Sequence, residues 1–189
     1  MRVLVIGAHH GLGAVILRRA GAAGHDAAPF EGDLFAGEAL ARSVARQEAV
    51  ISTLGPRRDS PADLCAQGAS RIIAAMQRAG ARRLISVSGA MVGEDARLGL
   101  VYRLIRAQVP GAILADMRRA EALVRGSGLD WTLVRPVRLT DGKGRGRWRA
   151  DPGARVGGLA RIAREDVAQA MLAALEDPAT HGQALLLQG

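Results

Sequence analysis

The sequence predicts an α/β fold in which a doubly wound parallel sheet carries helices on both faces. Three observations predict it. Short β-branched runs alternate with helix-length amphipathic segments along the chain. Each strand-like run leads into a helix rather than a hairpin turn, an order that requires parallel pairing with right-handed crossovers. A glycine-rich turn joins the first run to the first helix. With 189 residues the chain is long for a minimal domain and short for two, so one domain spanning 1–189 is expected.

The strand and helix pairs are, in order, 2–6 with 14–23, 49–54 with 62–79, 84–88 with 112–125, and 131–134 with 165–176. Ser60, Pro61 and Asp63 read as an N-cap, a first-turn proline and a first-turn acid, and Gly80 closes the same helix after Arg78. Pro110-Gly111 interrupts the segment 98–125, which predicts two helices there or one strongly kinked helix. The stretch 141–158 mixes glycines with basic residues and reads as a surface loop.

Composition limits the function classes. Hydrophobic residues make up 49% of the chain but aromatics only 3%, so the core is expected to be aliphatic. No apolar run approaches the roughly 18–20 residues a membrane span needs, and no export signal is visible. Cys65 is alone, which leaves neither a disulfide framework nor a multi-cysteine metal site and suits a cytoplasmic setting. The net charge of +8 raises the prospect of a nucleic-acid partner acting through the basic segment 135–155. Only Lys143 among the 26 basic residues is lysine, however, and with abundant Ala and Gly this fits the codon bias of a GC-rich genome. A small molecule is therefore the expected partner.

Gly7-Ala8-His9-His10-Gly11-Leu12-Gly13 follows an apolar strand and opens a helix. A dinucleotide needs that arrangement. A turn without side chains lets the backbone approach the pyrophosphate, and the helix N-terminus offers unpaired N–H groups and positive dipole. An ordinary strand-to-helix turn is the plainer alternative; position at the chain start, with strand before and helix after, favours the dinucleotide. Gly7, His9, His10, Gly11, Leu12 and Gly13 are the candidate contacts. Adjacent histidines in a turn point apart, so no metal site is expected at His9 and His10.

The second half carries a resemblance. Ser127-Gly128-Leu129-Asp130-Trp131-Thr132-Leu133-Val134-Arg135-Pro136, then Leu139-Thr140-Asp141-Gly142, then Arg164-Glu165-Asp166-Val167-Ala168, resembles the atypical short-chain dehydrogenase/reductases. The branch it resembles is the NAD(P)H-binding, NmrA-like group that includes biliverdin reductase B, the flavin reductase. Gly55, 69–80 and 83–89 fit the same pattern. The resemblance implies a Rossmann-like fold and an NAD(P)(H) cofactor. It places Arg135, Pro136 and Val137 beside the nicotinamide, turns Ser88 toward the reacting ring, and adds Leu54 and Gly55 to the cofactor contacts. Ser86 and Ser88 also fit ordinary hydrogen bonding at a strand end.

Departures from that family matter as much. Typical short-chain dehydrogenases have a Tyr-x-x-x-Lys pair with a glutamate four residues beyond the lysine. If Glu121 is that glutamate, Met117 and Ile113 fill the lysine and tyrosine positions, and neither donates a proton. Tyr102 with Arg106 has a comparable spacing but precedes the Pro110-Gly111 break, so it enters only as an alternative catalytic candidate beside Ser88. Hydride delivery to a flavin-, quinone- or tetrapyrrole-like acceptor leaves a delocalised anion that solvent can protonate, whereas a ketone reductase needs an acid. The expected function is an NAD(P)H-dependent reductase of a small conjugated acceptor; a non-catalytic redox sensor is the second reading.

Relatives usually place two strands and a helix between the first helix and a Gly-Asp-Leu turn, yet here only 25–31 separates Gly24 from Gly32-Asp33-Leu34. The single remaining strand is expected beside the first, leaving the sheet without its outermost strand on that side. Glu31 or Asp33 stands about 20 residues past Gly13, where an acid bonds the NAD ribose and repels a 2′-phosphate. Arg57 and Arg58 could still reach an NADP phosphate, but the balance favours NAD.

Overall fold

The computed structural model describes residues 1–36, 38–56, 60–93, 97–150 and 155–189. The chain opens with β1 (Arg2–Ile6), α1 (Gly11–Ala20), β2 (Asp26–Pro29), α2 (Glu38–Val44) and β3 (Ala49–Ser52). It continues through α3 (Leu64–Ala79), β4 (Arg83–Val87), β5 (Arg97–Leu98), α4 (Leu100–Ala107) and α5 (Gly111–Arg125). Then come β6 (Asp130–Pro136), β7 (Arg138–Thr140), β8 (Arg149–Ala150), β9 (Arg155–Val156), β10 (Arg161–Ala163), α6 (Arg164–Leu175) and β11 (Gln183–Gln188).

The central sheet runs β2-β1-β3-β4-β6-β11-β8, all parallel except β8, which pairs antiparallel with β11. This is the doubly wound, Rossmann-like arrangement the alternation predicts. Side chains leave each strand alternately to the two faces. Val3, Val5, Ile51, Ile85 and Val134 enter one aliphatic cluster with Ile16 of α1 and Met171 of α6. Leu4, Ile6, Val50, Leu84 and Leu133 enter the other, with Ile72 and Met76 of α3 and Val124 of α5. Burial on both faces explains why the strands read as continuous apolar runs rather than alternating ones.

β2 pairs with β1 at the edge of this sheet, so the short interval after α1 supplies one strand on that side, as expected. The chain order reverses between β1, which β2 flanks, and β3. Ligands of such sheets bind beyond the strand C-termini at that switch point. The turn after β1 and the segment after β3 flank it.

Three local readings change or sharpen. Pro110-Gly111 does separate two helices, α4 and α5. The start of α3 moves from Ser60 to Leu64, because its first-turn donors are satisfied from another helix: Asp116 of α5 accepts from Cys65 N and Ala66 N at 2.9 and 3.1 Å. The stretch 141–158 is only partly loop. It contributes β8 and β9, and its turn is tied down by buried Asp166, which accepts from Arg145 N and Gly146 N at 3.0 and 2.9 Å.

Candidate active site

The turn after β1 is built around two glycines with positive φ, +80° at Gly7 and +59° at Gly11. Gly7 is required twice over, since a Cβ there would also lie 2.7 Å from Thr53 Oγ1. The Thr53 hydroxyl, at the end of β3, lies 3.0 and 3.1 Å from the Ile6 and Gly7 carbonyls and so ties the turn to the next strand. Gly13 serves packing rather than conformation. A Cβ on it would collide with the Gly7 carbonyl and come within 2.8 Å of Ala8 Cα, so the helix can sit this close to the turn only with glycine there. Leu12 is buried beneath the helix start, whereas His9 and His10 are exposed, their rings 6.3 Å apart.

A cleft of about 580 Å³ opens above these residues. One wall is the turn, with Gly7, His9, His10, Gly11 and Leu12; the floor is Thr53, Leu54, Gly55 and Pro56; the far wall is Ser88, Met117 and Pro136, and Leu139 and Arg164 close a side. Hydrogen bonds from Ser88 N to Val134 O (2.8 Å) and Ala90 N to Pro136 O (3.1 Å) carry β4 and β6 side by side to this edge. The Ser88 hydroxyl is buried and has no hydrogen-bond partner among the described residues. An unsatisfied buried hydroxyl is costly, and this one is on a residue that lines the cleft.

Behind the far wall lies an internal cavity of about 20 Å³, enough for one water, lined by Ser52, Ser86, Ser88, Cys65, Met117 and Glu121 among others. The Cys65 thiol there is pushed up to about 12, first by burial and then by the Asp116 carboxylate, which removes it as a thiolate nucleophile. A second cleft, of about 520 Å³, shares Pro136 with the first and is lined mainly by apolar groups, including Met91, Val101, Ile105, Val137 and Leu159. Tyr102 lines it from α4. The phenol is buried and hydrogen-bonded with the Arg138 backbone, and burial raises it above its ordinary value, so it stays protonated at neutral pH.

The NAD(P)H-binding family matches residues 8–178. The chain belongs to that family. Its cofactor is NAD(P)(H), and the positive-φ turn, the open start of α1 and the unpartnered Ser88 hydroxyl all fit such a group. The fold is shared with several solved proteins. A short-chain dehydrogenase/reductase from Veillonella parvula, in complex with NADP, matches with a TM-score of 0.82 at 17% identity over 100% of this chain and 94% of that one. The oxidoreductase ylbE from Lactococcus lactis gives 0.83 at 15%, over 100% and 91%. ChuY, an anaerobillin reductase from Escherichia coli O157:H7, gives 0.81 at 21%, over 99% and 96%. At such identities the likeness is one of fold.

Within this NAD(P)H-binding chain the structure brings together Gly7, His9, His10, Gly11, Leu12, Leu54, Gly55, Ser88 and Pro136 around one cleft, with Gly13 packed beneath. Val137 and Tyr102 line the second cleft instead. The Arg135 side chain is buried against Glu121, Nε 2.8 Å from Oε1 with a second contact from Nη2, and the cleft lining includes its neighbour Pro136. Glu31 and Asp33 are exposed after β2 and lie outside the cleft wall; Asp33 accepts from Phe35 N at 2.8 Å. Arg57 and Arg58 lie outside the described residues. Sequence reasoning missed Thr53, Leu139 and Arg164, and it treated Met117 only as an absence.

Proposed function

We propose that this protein is an NAD(P)H-dependent reductase that passes a hydride to a small planar conjugated acceptor without a tyrosine-lysine acid pair. The observation that carries the reading is Met117. It lines the cleft with Ser88, and if Glu121 matches the family's glutamate it stands at the lysine position, with a thioether where the typical enzyme has a cation. Bound in the cleft, the reduced cofactor supplies the hydride, two electrons with one proton, and the acceptor then takes its own proton from solvent.

The chain's residues hold and screen. Gly7, Gly11 and the α1 N–H groups would hold the phosphates, Ser88 and Pro136 would border the nicotinamide, and the apolar second cleft, which shares the lining residue Pro136, would hold the acceptor. An apolar cleft of this size suits a flat ring system, and the name of one fold neighbour, anaerobillin reductase, points to tetrapyrroles. An anaerobic screen of cofactor oxidation against flavins, quinones and biliverdin tests the proposal. Turnover with at least one planar acceptor and none with simple ketones is expected; ketone reduction alone would overturn it, and cofactor binding without turnover would make the protein a sensor.

A further inference from the structure

Arg164 sits where a cation does not favour the helix that carries it. It is the first residue of α6, at the positive end of the helix dipole, the end that favours its neighbours Glu165 and Asp166. Its side chain lies over the cofactor cleft instead, with Nε 3.9 Å from the point a Cβ on Gly11 would occupy. That puts a guanidinium beside the first turn of α1, which contains no acid and receives no capping bond from the His10 side chain. The placement is fixed, because Glu165 binds both Arg18 and Arg19 and so fastens the start of α6 to α1.

Arg164 Nη1 pairs with Asp141 Oδ1 at 2.6 Å, and the Asp141 side chain is 93% exposed. A pair with so exposed a partner adds little stability, so exchanging that carboxylate for another anion costs little. We propose that Arg164 is the diphosphate clamp of the dinucleotide cleft, stored on Asp141 in the free protein and passed to the cofactor's pyrophosphate on binding. The planar fork of a guanidinium matches phosphate oxygens, and from beside the first turn of α1 it would add a charged donor to the α1 N–H groups. A diphosphate contact is blind to the 2′-phosphate, so it acts alike on both cofactors.

Calorimetric titrations with NADH, NADPH and ADP test this on Arg164→Gln and Asp141→Asn beside the unaltered protein. Arg164→Gln is expected to weaken all three by a similar factor, roughly ten- to hundredfold, the range for losing a charge-assisted hydrogen bond. Asp141→Asn is expected to tighten all three severalfold, since no carboxylate then competes for the guanidinium. That second variant, at an exposed site, carries the test independently of any folding defect in the first. Unchanged affinity in a folded Arg164→Gln protein would overturn the proposal, as would a loss confined to NADPH or a weakening by Asp141→Asn.

Discussion

The three glycines of the turn look alike in sequence but do different work, and substitution separates them. At Gly11 the Cβ direction is open toward the cleft and φ is +59°, so Gly11→Val should fold, at a strain of about 1–3 kcal/mol, and lose dinucleotide binding. At Gly13 the obstruction is backbone, so Gly13→Ala should destabilise by about 1–3 kcal/mol through overpacking of α1 on the turn. Denaturant titration of the two variants with calorimetry on the folded protein checks the pair; a stable Gly13→Ala protein, or full affinity in Gly11→Val, contradicts it. Ser88 behaves in the opposite sense. Its buried hydroxyl has no partner among the described residues, so Ser88→Ala should leave stability within about 1 kcal/mol of the parent or raise it, while slowing turnover at least tenfold. A stability loss without a turnover loss would return Ser88 to an ordinary strand-end role.

Between elements, one buried carboxylate carries much of the order on the α3 side of the sheet. Asp116, 3% exposed on α5, caps α3 across the helix interface with two backbone hydrogen bonds. Asp116→Ala should cost about 2 kcal/mol and leave the Cys65 thiol less strongly raised, read by denaturation midpoint and by alkylation rate against pH. A cost below about 0.5 kcal/mol would show that water caps α3 equally well. This device also shows where sequence reading ends. Gly80, at φ +71°, and the Pro110-Gly111 break are local signals and were legible; the start of α3 was not, because its cap lies some fifty residues away, and Ser60 and Pro61 supplied a plausible local substitute. The Arg135 ion pair was illegible for a different reason. Its partner is on another element: Arg135 shares side-chain parity with Leu133, which faces α5, so the strand's period of two directs its side chain to Glu121.

At the scale of the molecule, the fold and the glycine turn were legible because alternation and turn chemistry are sequence-local, whereas Thr53, Met117 and Arg164 reach the cleft from three other elements and become visible only when the sheet is assembled. The prediction on cofactor choice rests on the short interval after α1, where exposed Glu31 and Asp33 follow β2. NADH is expected to bind as tightly as NADPH or more so at one ionic strength. NADPH binding more than about a hundredfold tighter, roughly 2.7 kcal/mol, would reverse that and direct attention to Arg57 and Arg58. The most direct test of the account is the transfer itself: mix the protein anaerobically with reduced cofactor deuterated at the nicotinamide C4 on either face, add a planar acceptor the protein turns over, and follow the label by mass spectrometry. The account predicts deuterium leaving the cofactor from one face only, retained in the reduced acceptor where the new bond is to carbon and found in solvent where it is to nitrogen or oxygen, with Tyr102→Phe retaining at least a tenth of the rate. Label found in neither acceptor nor solvent while the cofactor stays bound and reduced, or transfer that collapses without the Tyr102 hydroxyl, would contradict it.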